Sequence, residues 1–118
     1  MGVERRHNHR YAVDGTIVVE VSTTGSGTAV ADISIGGFAL ATTLPIDGSD
    51  AQSFRFVSKD GRWHTTLEAI GVYATPEPLE RGPHAGKFMT GFRFTRAEDP
   101  AVRRQIEDLL AHAVGVVA

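Results

Sequence analysis

At 118 residues, with 42% apolar and 22% charged positions, the chain has the composition of one globular domain able to bury a single core. A formal net charge of −2 argues against a DNA or RNA partner, since such binding usually draws on a basic excess, and any anion site must be local. The absence of cysteine removes disulfides and thiolate metal ligands and fits a reducing compartment; with no apolar run long enough to span a bilayer and no secretory signal in the polar N-terminus, a cytoplasmic protein without membrane insertion is expected.

Residues 1–12 read as a flexible arm, because Glu4-Arg5-Arg6-His7-Asn8-His9-Arg10 is the densest basic cluster in the chain and only Val3 and Tyr11 could anchor it. From residue 13 to 118 the pattern is that of a folded domain. Thr16–Ser22 alternates with Ile17, Val19 and Val21 on one face, which predicts a strand. A turn over Thr24–Gly27 leads to a return strand, Thr28–Ile35, with Ala31, Ile33 and Ile35 expected inside. Gly36-Gly37 punctuates it before Phe38–Thr42. After a loop at Pro45–Ser49, Phe54–Val57 and Trp63–Tyr73 flank a hairpin turn at Lys59-Asp60-Gly61, with Trp63, Leu67 and Tyr73 expected on one, inward side. Three prolines and two glycines make Pro76–Gly86 a loop, and Phe88–Phe94 closes the β region. The period then becomes helical: Asp99 is a fitting N-cap, Pro100 a first helical residue, Val102, Ile106, Leu109, Leu110 and Ala113 share a face, and Gly115 is a stop. Five or six strands and one terminal amphipathic helix predict a mainly β fold, a small antiparallel barrel with the helix outside it or over one end.

Two groups of residues carry recognition chemistry. Arg6 and Arg10 are four apart, so a helical turn or an extended segment aims both guanidiniums the same way. The planar fork of arginine suits phosphate and the O6/N7 edge of guanine, although a pair alone is equally the mark of a solvated arm. In Asp32-Ile33-Ser34-Ile35-Gly36-Gly37, strand alternation puts Asp32 and Ser34 on one face, an acceptor and a hydroxyl for the N1–H and N2–H₂ edge of guanine. Gly37 supplies a position of positive φ, or one a flat base can approach; a polar strand end before a glycine turn accounts for the same residues. A hairpin centred near Gly25 pairs residue n with about residue 50 − n. Ser34–Gly36 then lie beside Asp14–Thr16, where the arm enters the sheet.

Arg6-x-x-x-Arg10, a 21-residue gap, and Asp32-x-Ser34-x-x-Gly37 resemble the signature of the PilZ domain family. The likeness continues through Ile35-Gly36-Gly37-Phe38, the Gly48 loop, Gly71-Val72-Tyr73, Thr90-Gly91-Phe92-Arg93-Phe94 and the closing helix, and so covers nearly the whole chain. The resemblance implies a six-stranded antiparallel β-barrel with one C-terminal helix, and a bacterial, non-catalytic receptor for the second messenger cyclic di-GMP. It implies that Arg6 and Arg10 grip phosphate and guanine while Asp32, Ser34, Gly36 and Gly37 line a guanine pocket. Arg5, before the pair, goes in this family with binding of an intercalated ligand dimer. Some relatives place an aromatic residue against a base near Tyr73, which the alternation assigns to the core.

No nucleophile elbow, His-Glu-x-x-His or P-loop is present, and Asp14, Asp47, Asp50 and Asp60 fall in turns, so neither an enzyme nor a cofactor is expected. His7, His9, His64 and His84 lack the companions of a metal site, and His112 is expected at the surface. The competing reading is a non-catalytic protein-interaction barrel that does not bind nucleotide and docks an acidic partner through its arginines. A lone domain acts through a downstream protein partner in either case.

Overall fold

The structure, a computed structural model, describes residues 9–13, 16–21 and 27–114. In chain order the elements are β1 (Tyr11–Ala12), β2 (Ile17–Val21), β3 (Gly27–Ile33), β4 (Gly37–Thr42), β5 (Gln52–Ser58), β6 (His64–Ala74), β7 (Phe88–Phe94) and α1 (Pro100–Val114). Every pairing is antiparallel. Strands β3, β2, β5, β6, β7 and β4 follow one another, and β4 pairs back onto β3, so six strands close a barrel. The seventh, β1, adds to Asp32 and Ile33, the part of β3 that β2 leaves unpaired. Closure removes the long free edges that an open sheet would carry.

The barrel is filled by phenylalanine. Phe38 is fully buried, stacks on Phe92 with centroids 5.1 Å apart, and meets Phe54 and Phe56 edge-on at 5.1 and 5.0 Å. Truncating such a residue costs on the order of 3–5 kcal/mol. The buried face of α1 (Ile106, Leu109, Leu110, Ala113) belongs to the same apolar cluster. Asp99 caps the helix by accepting the Ala101 amide at 2.9 Å, while its carbonyl accepts the Arg103 amide at 2.8 Å. Among the described residues no helix is long and apolar enough to cross a membrane.

Four features depart from the expected pattern. The partners in the β2–β3 pair sum to 47 rather than 50 (Val18 with Ala29, Val19 with Thr28), and Asp32 lies opposite Ala12. A bulge in β3 between Val30 and Asp32 shifts the alternation by one residue. Val30 and Ile33 therefore face the core at 1% and 0% exposure; of the residues that even alternation assigns inward, Ile33 and Ala31 are buried, the latter at 6%, and Ile35 is only half-buried. A second bulge, in β6 between Gly71 and Tyr73, turns Tyr73 out of the core to 49% exposure. Tyr11 and Ala12, expected in the arm, are the strand β1. Arg5, Arg6 and His7, residues 24–26 of the expected hairpin turn, Asp14 and the Gly115 stop lie outside the described residues.

Candidate functional site

The register of β1 determines where Arg10 goes. Ala12 is directly opposite Asp32, and Arg10 lies two residues earlier on the same face, in reach of the diagonal neighbour. Its Nη2 and Nε both donate to Asp32 Oδ1, at 2.6 and 3.0 Å. The two side chains remain 48% and 28% exposed, and an ion pair so open to water contributes about 0–1 kcal/mol. It is weak enough for either partner to exchange it for a better one. The arm and the Asp-x-Ser-x-x-Gly strand end thus meet at Arg10 and Asp32.

The other motif residues do something different. Ser34 is 1% exposed, and its Oγ accepts the amides of Gly36 and Gly37 at 3.2 Å each, while its own amide donates to the Gly37 carbonyl at 2.8 Å. It ties the turn instead of sharing the open face with Asp32. Gly37 is not in the left-handed region either: among the described residues positive φ occurs at Gly61, Gly82 and Gly86. A Cβ on Gly37 would come within 2.0 Å of the Phe92 carbonyl oxygen, so a neighbouring strand needs the space and not a base. The Phe94 amide donates to the Gly36 carbonyl at 3.0 Å, which fastens the turn to β7.

Outside the barrel the registers line up a row of residues. Ala12 pairs with Asp32, Asp32 with Ala39, Ala39 with Gly91, and Gly91 with Tyr73. Directly paired residues face the same side, so Asp32 and Tyr73 stand at two ends of a row three strand spacings or about 14 Å long; the small residues between them, Ala39 at 0% exposure and Gly91 beneath the Tyr73 ring, are buried. The bulge in β6 brings Tyr73 to the outer face, while Asp32 is outward by its alternation with Ile33. The Tyr73 ring lies against Gly91, where a Cβ would come within 2.0 Å of a ring carbon. Arg93, exposed and paired with Gly37, stands in the adjoining row and makes no salt bridge among the described residues. Arg93 is not a candidate from the motifs, and Tyr73, near the aromatic position of some relatives, is assigned to the core by alternation. The spacing Phe92-Arg93-Phe94 could have marked Arg93 as outward; for Tyr73 the bulge conceals the signal.

A family model described as the PilZ domain matches residues 4–112. The chain belongs to the PilZ domain family. The barrel is similar to the PilZ domain of YcgR from Escherichia coli solved with c-di-GMP, at 19% identity and a TM-score of 0.59, over 89% of this chain and 88% of that one. It is also similar to YcgR of Escherichia coli in complex with c-di-GMP (16% identity, TM-score 0.57) and to the Bacillus subtilis inhibitor of motility MotI/DgrA (16%, 0.54). It aligns over 90% and 86% of its own length with these two but spans 44% and 49% of theirs, about half in each case. At such identities the likeness is one of fold. No curated protein matches the sequence.

Proposed function

We propose that this PilZ domain is a bacterial, cytoplasmic receptor for cyclic di-GMP, held between the Arg6–Arg10 segment and the Asp32 strand end. The observation that carries the reading is the meeting of Arg10 with Asp32 on the open face. A cyclic dinucleotide presents two phosphates and two guanines. Asp32 accepts from the N1–H and N2–H₂ edge of one guanine, while Arg10, released from Asp32, and Arg6 donate to phosphate or to O6/N7. Ser34, Gly36 and Gly37 contribute through the shape of the turn beneath. Tyr73, at the far end of the row from Asp32, offers a ring face to the second base. Arg5 adds a further guanidinium and goes with a bound ligand dimer. The signal is the ordering of residues 4–11 over the barrel, which presents a new surface to a downstream protein.

Titration calorimetry with cyclic di-GMP tests the proposal. Arg6→Ala and Arg10→Ala each forfeit charged hydrogen bonds of about 1.5–3 kcal/mol, so Kd should rise at least about tenfold in either variant with the fold retained. Unchanged affinity in both would refute the clamp. A stoichiometry of two ligands per chain supports the role given to Arg5, and one removes it. Amide signals of residues 4–11 should shift and sharpen on ligand addition; an arm equally ordered with and without ligand rules out the switch.

A further inference from the structure

A shallow cleft of about 220 Å³ lies between the loop of Gly48 and Ser49 and the stretch of β6 from Gly71 to Ala74, with Thr90 completing the lining. It is separate from the Arg10–Asp32 pair. Strand β5 pairs with β6 only as far as Ala69; beyond that, the Gly71 amide donates to the Gly48 carbonyl at 2.8 Å. Among the described residues Val72 to Ala74 have no strand partner on that side, and Val72 and Tyr73 are 57% and 49% exposed. Thr90 is 2% exposed, yet its Oγ1 has no hydrogen-bond partner among the described residues. Such a group is rare in a folded interior unless something binds there.

Two acidic residues neighbour the cleft in the chain without lining it. Asp47 and Asp50, both exposed, flank Gly48 and Ser49, and neither enters a salt bridge among the described residues. Asp47 Oδ1 accepts the Ser49 amide at 3.0 Å, and this bond holds the Asp47 carboxyl below its ordinary range. An exposed aromatic ring, a pair of carboxylates and an unpaired stretch of strand together suit a cation on an extended backbone.

We propose that this cleft docks a basic extended segment of a partner protein, its arginine or lysine head group seated between the Tyr73 ring and the Asp47 and Asp50 carboxylates while its backbone lengthens the sheet along Val72–Ala74. Docking does not depend on the nucleotide. Its regulation does rest on the proposed cyclic di-GMP site, because Tyr73 stands at the end of the row from Asp32 and a bound base there would adjoin the segment.

The test is a titration of the whole ¹⁵N-labelled chain with the blocked pentapeptide Ala-Val-Arg-Val-Ala and with its glutamate counterpart. The arginine peptide should give saturable shifts at the amides of Ser49 and Gly71 to Ala74, and the glutamate peptide none. Asp47→Asn combined with Asp50→Asn, which keeps an acceptor for the Ser49 turn, should weaken the arginine peptide by about fivefold, the scale of partly exposed ion pairs. The same double variant should bind cyclic di-GMP as wild type does, and Arg10→Ala should lose the nucleotide but keep the peptide, so the two readings fail separately. No saturable shift, equal shifts with the glutamate peptide, or a response to methylguanidinium with none to the peptide would each overturn the docking site.

Discussion

Ser34 and Gly37 hold the turn on which Asp32 stands, and their replacement should differ in kind from that of Arg10. Ser34→Ala leaves the amides of Gly36 and Gly37 buried without an acceptor, at a cost of about 1–3 kcal/mol. Gly37→Ala drives a Cβ into the Phe92 carbonyl, where backbone and not a pliable side chain has to move, and costs at least about 1–3 kcal/mol. Both variants should unfold at lower urea concentration and lose cyclic di-GMP affinity in parallel. Arg10→Ala, which gives up only an exposed ion pair, should lose affinity at nearly unchanged urea midpoint. If Ser34→Ala weakens the ligand without lowering stability, the hydroxyl touches the nucleotide directly and its structural role here is wrong. The Asp-x-Ser-x-x-Gly spacing made these positions visible in the sequence. It did not separate the carboxylate that faces outward from the residues that support it, because that division depends on which strand presses on Gly37 and where the Ser34 hydroxyl turns.

Among the elements, the hairpin between β5 and β6 carries a titratable lock. Asp60 Oδ1 accepts the Arg62 amide at 3.0 Å and the Ser58 hydroxyl at 2.7 Å, and these bonds, the amide foremost, hold its carboxyl below the ordinary range. A carboxyl whose folded pKa is depressed contributes stability that is complete above its unfolded value and is lost as pH falls through the folded one. Asp60→Asn should therefore flatten part of the acid side of a Tm-against-pH curve, and an unaltered acid limb would show that the turn carries no such linkage. The hairpin itself was legible, as were the strands of the barrel and the cap and face of α1, since period and turn chemistry are local. The bulges at Ala31 and Val72 were not. A shift of one residue in the alternation is imposed by the partner strand, and neither residue differs from its neighbours in a way that announces it. Simple alternation assigns Tyr73 to the core for that reason; it places Asp32 outward of Ile33 correctly, and the bulge instead turns Val30 inward.

For the molecule as a whole, the proposed ligand bridges the segment of Arg10 and four strands of the barrel. Among the described residues, Arg10 to Ala12 meet the barrel through β1, which consists of two residues paired with the end of β3, and through one exposed ion pair. The row from Asp32 to Tyr73 crosses β3, β4, β7 and β6, including the β3–β4 pairing that closes the barrel. A ligand that binds only when these strands are assembled stabilises the folded state by mass action, by about 2.7 kcal/mol at a hundredfold excess over Kd. In a domain of this size that corresponds to a rise in Tm of roughly 10 °C. Wild type should show this rise with cyclic di-GMP, the Asp47→Asn and Asp50→Asn double variant should show it undiminished, and Arg10→Ala should show about half of it or less at the same ligand concentration. The competing view, an interaction barrel that ignores nucleotides, predicts no rise in any of the three. A wild-type melting curve that stays put at saturating nucleotide, with the barrel folded throughout, would decide for that view.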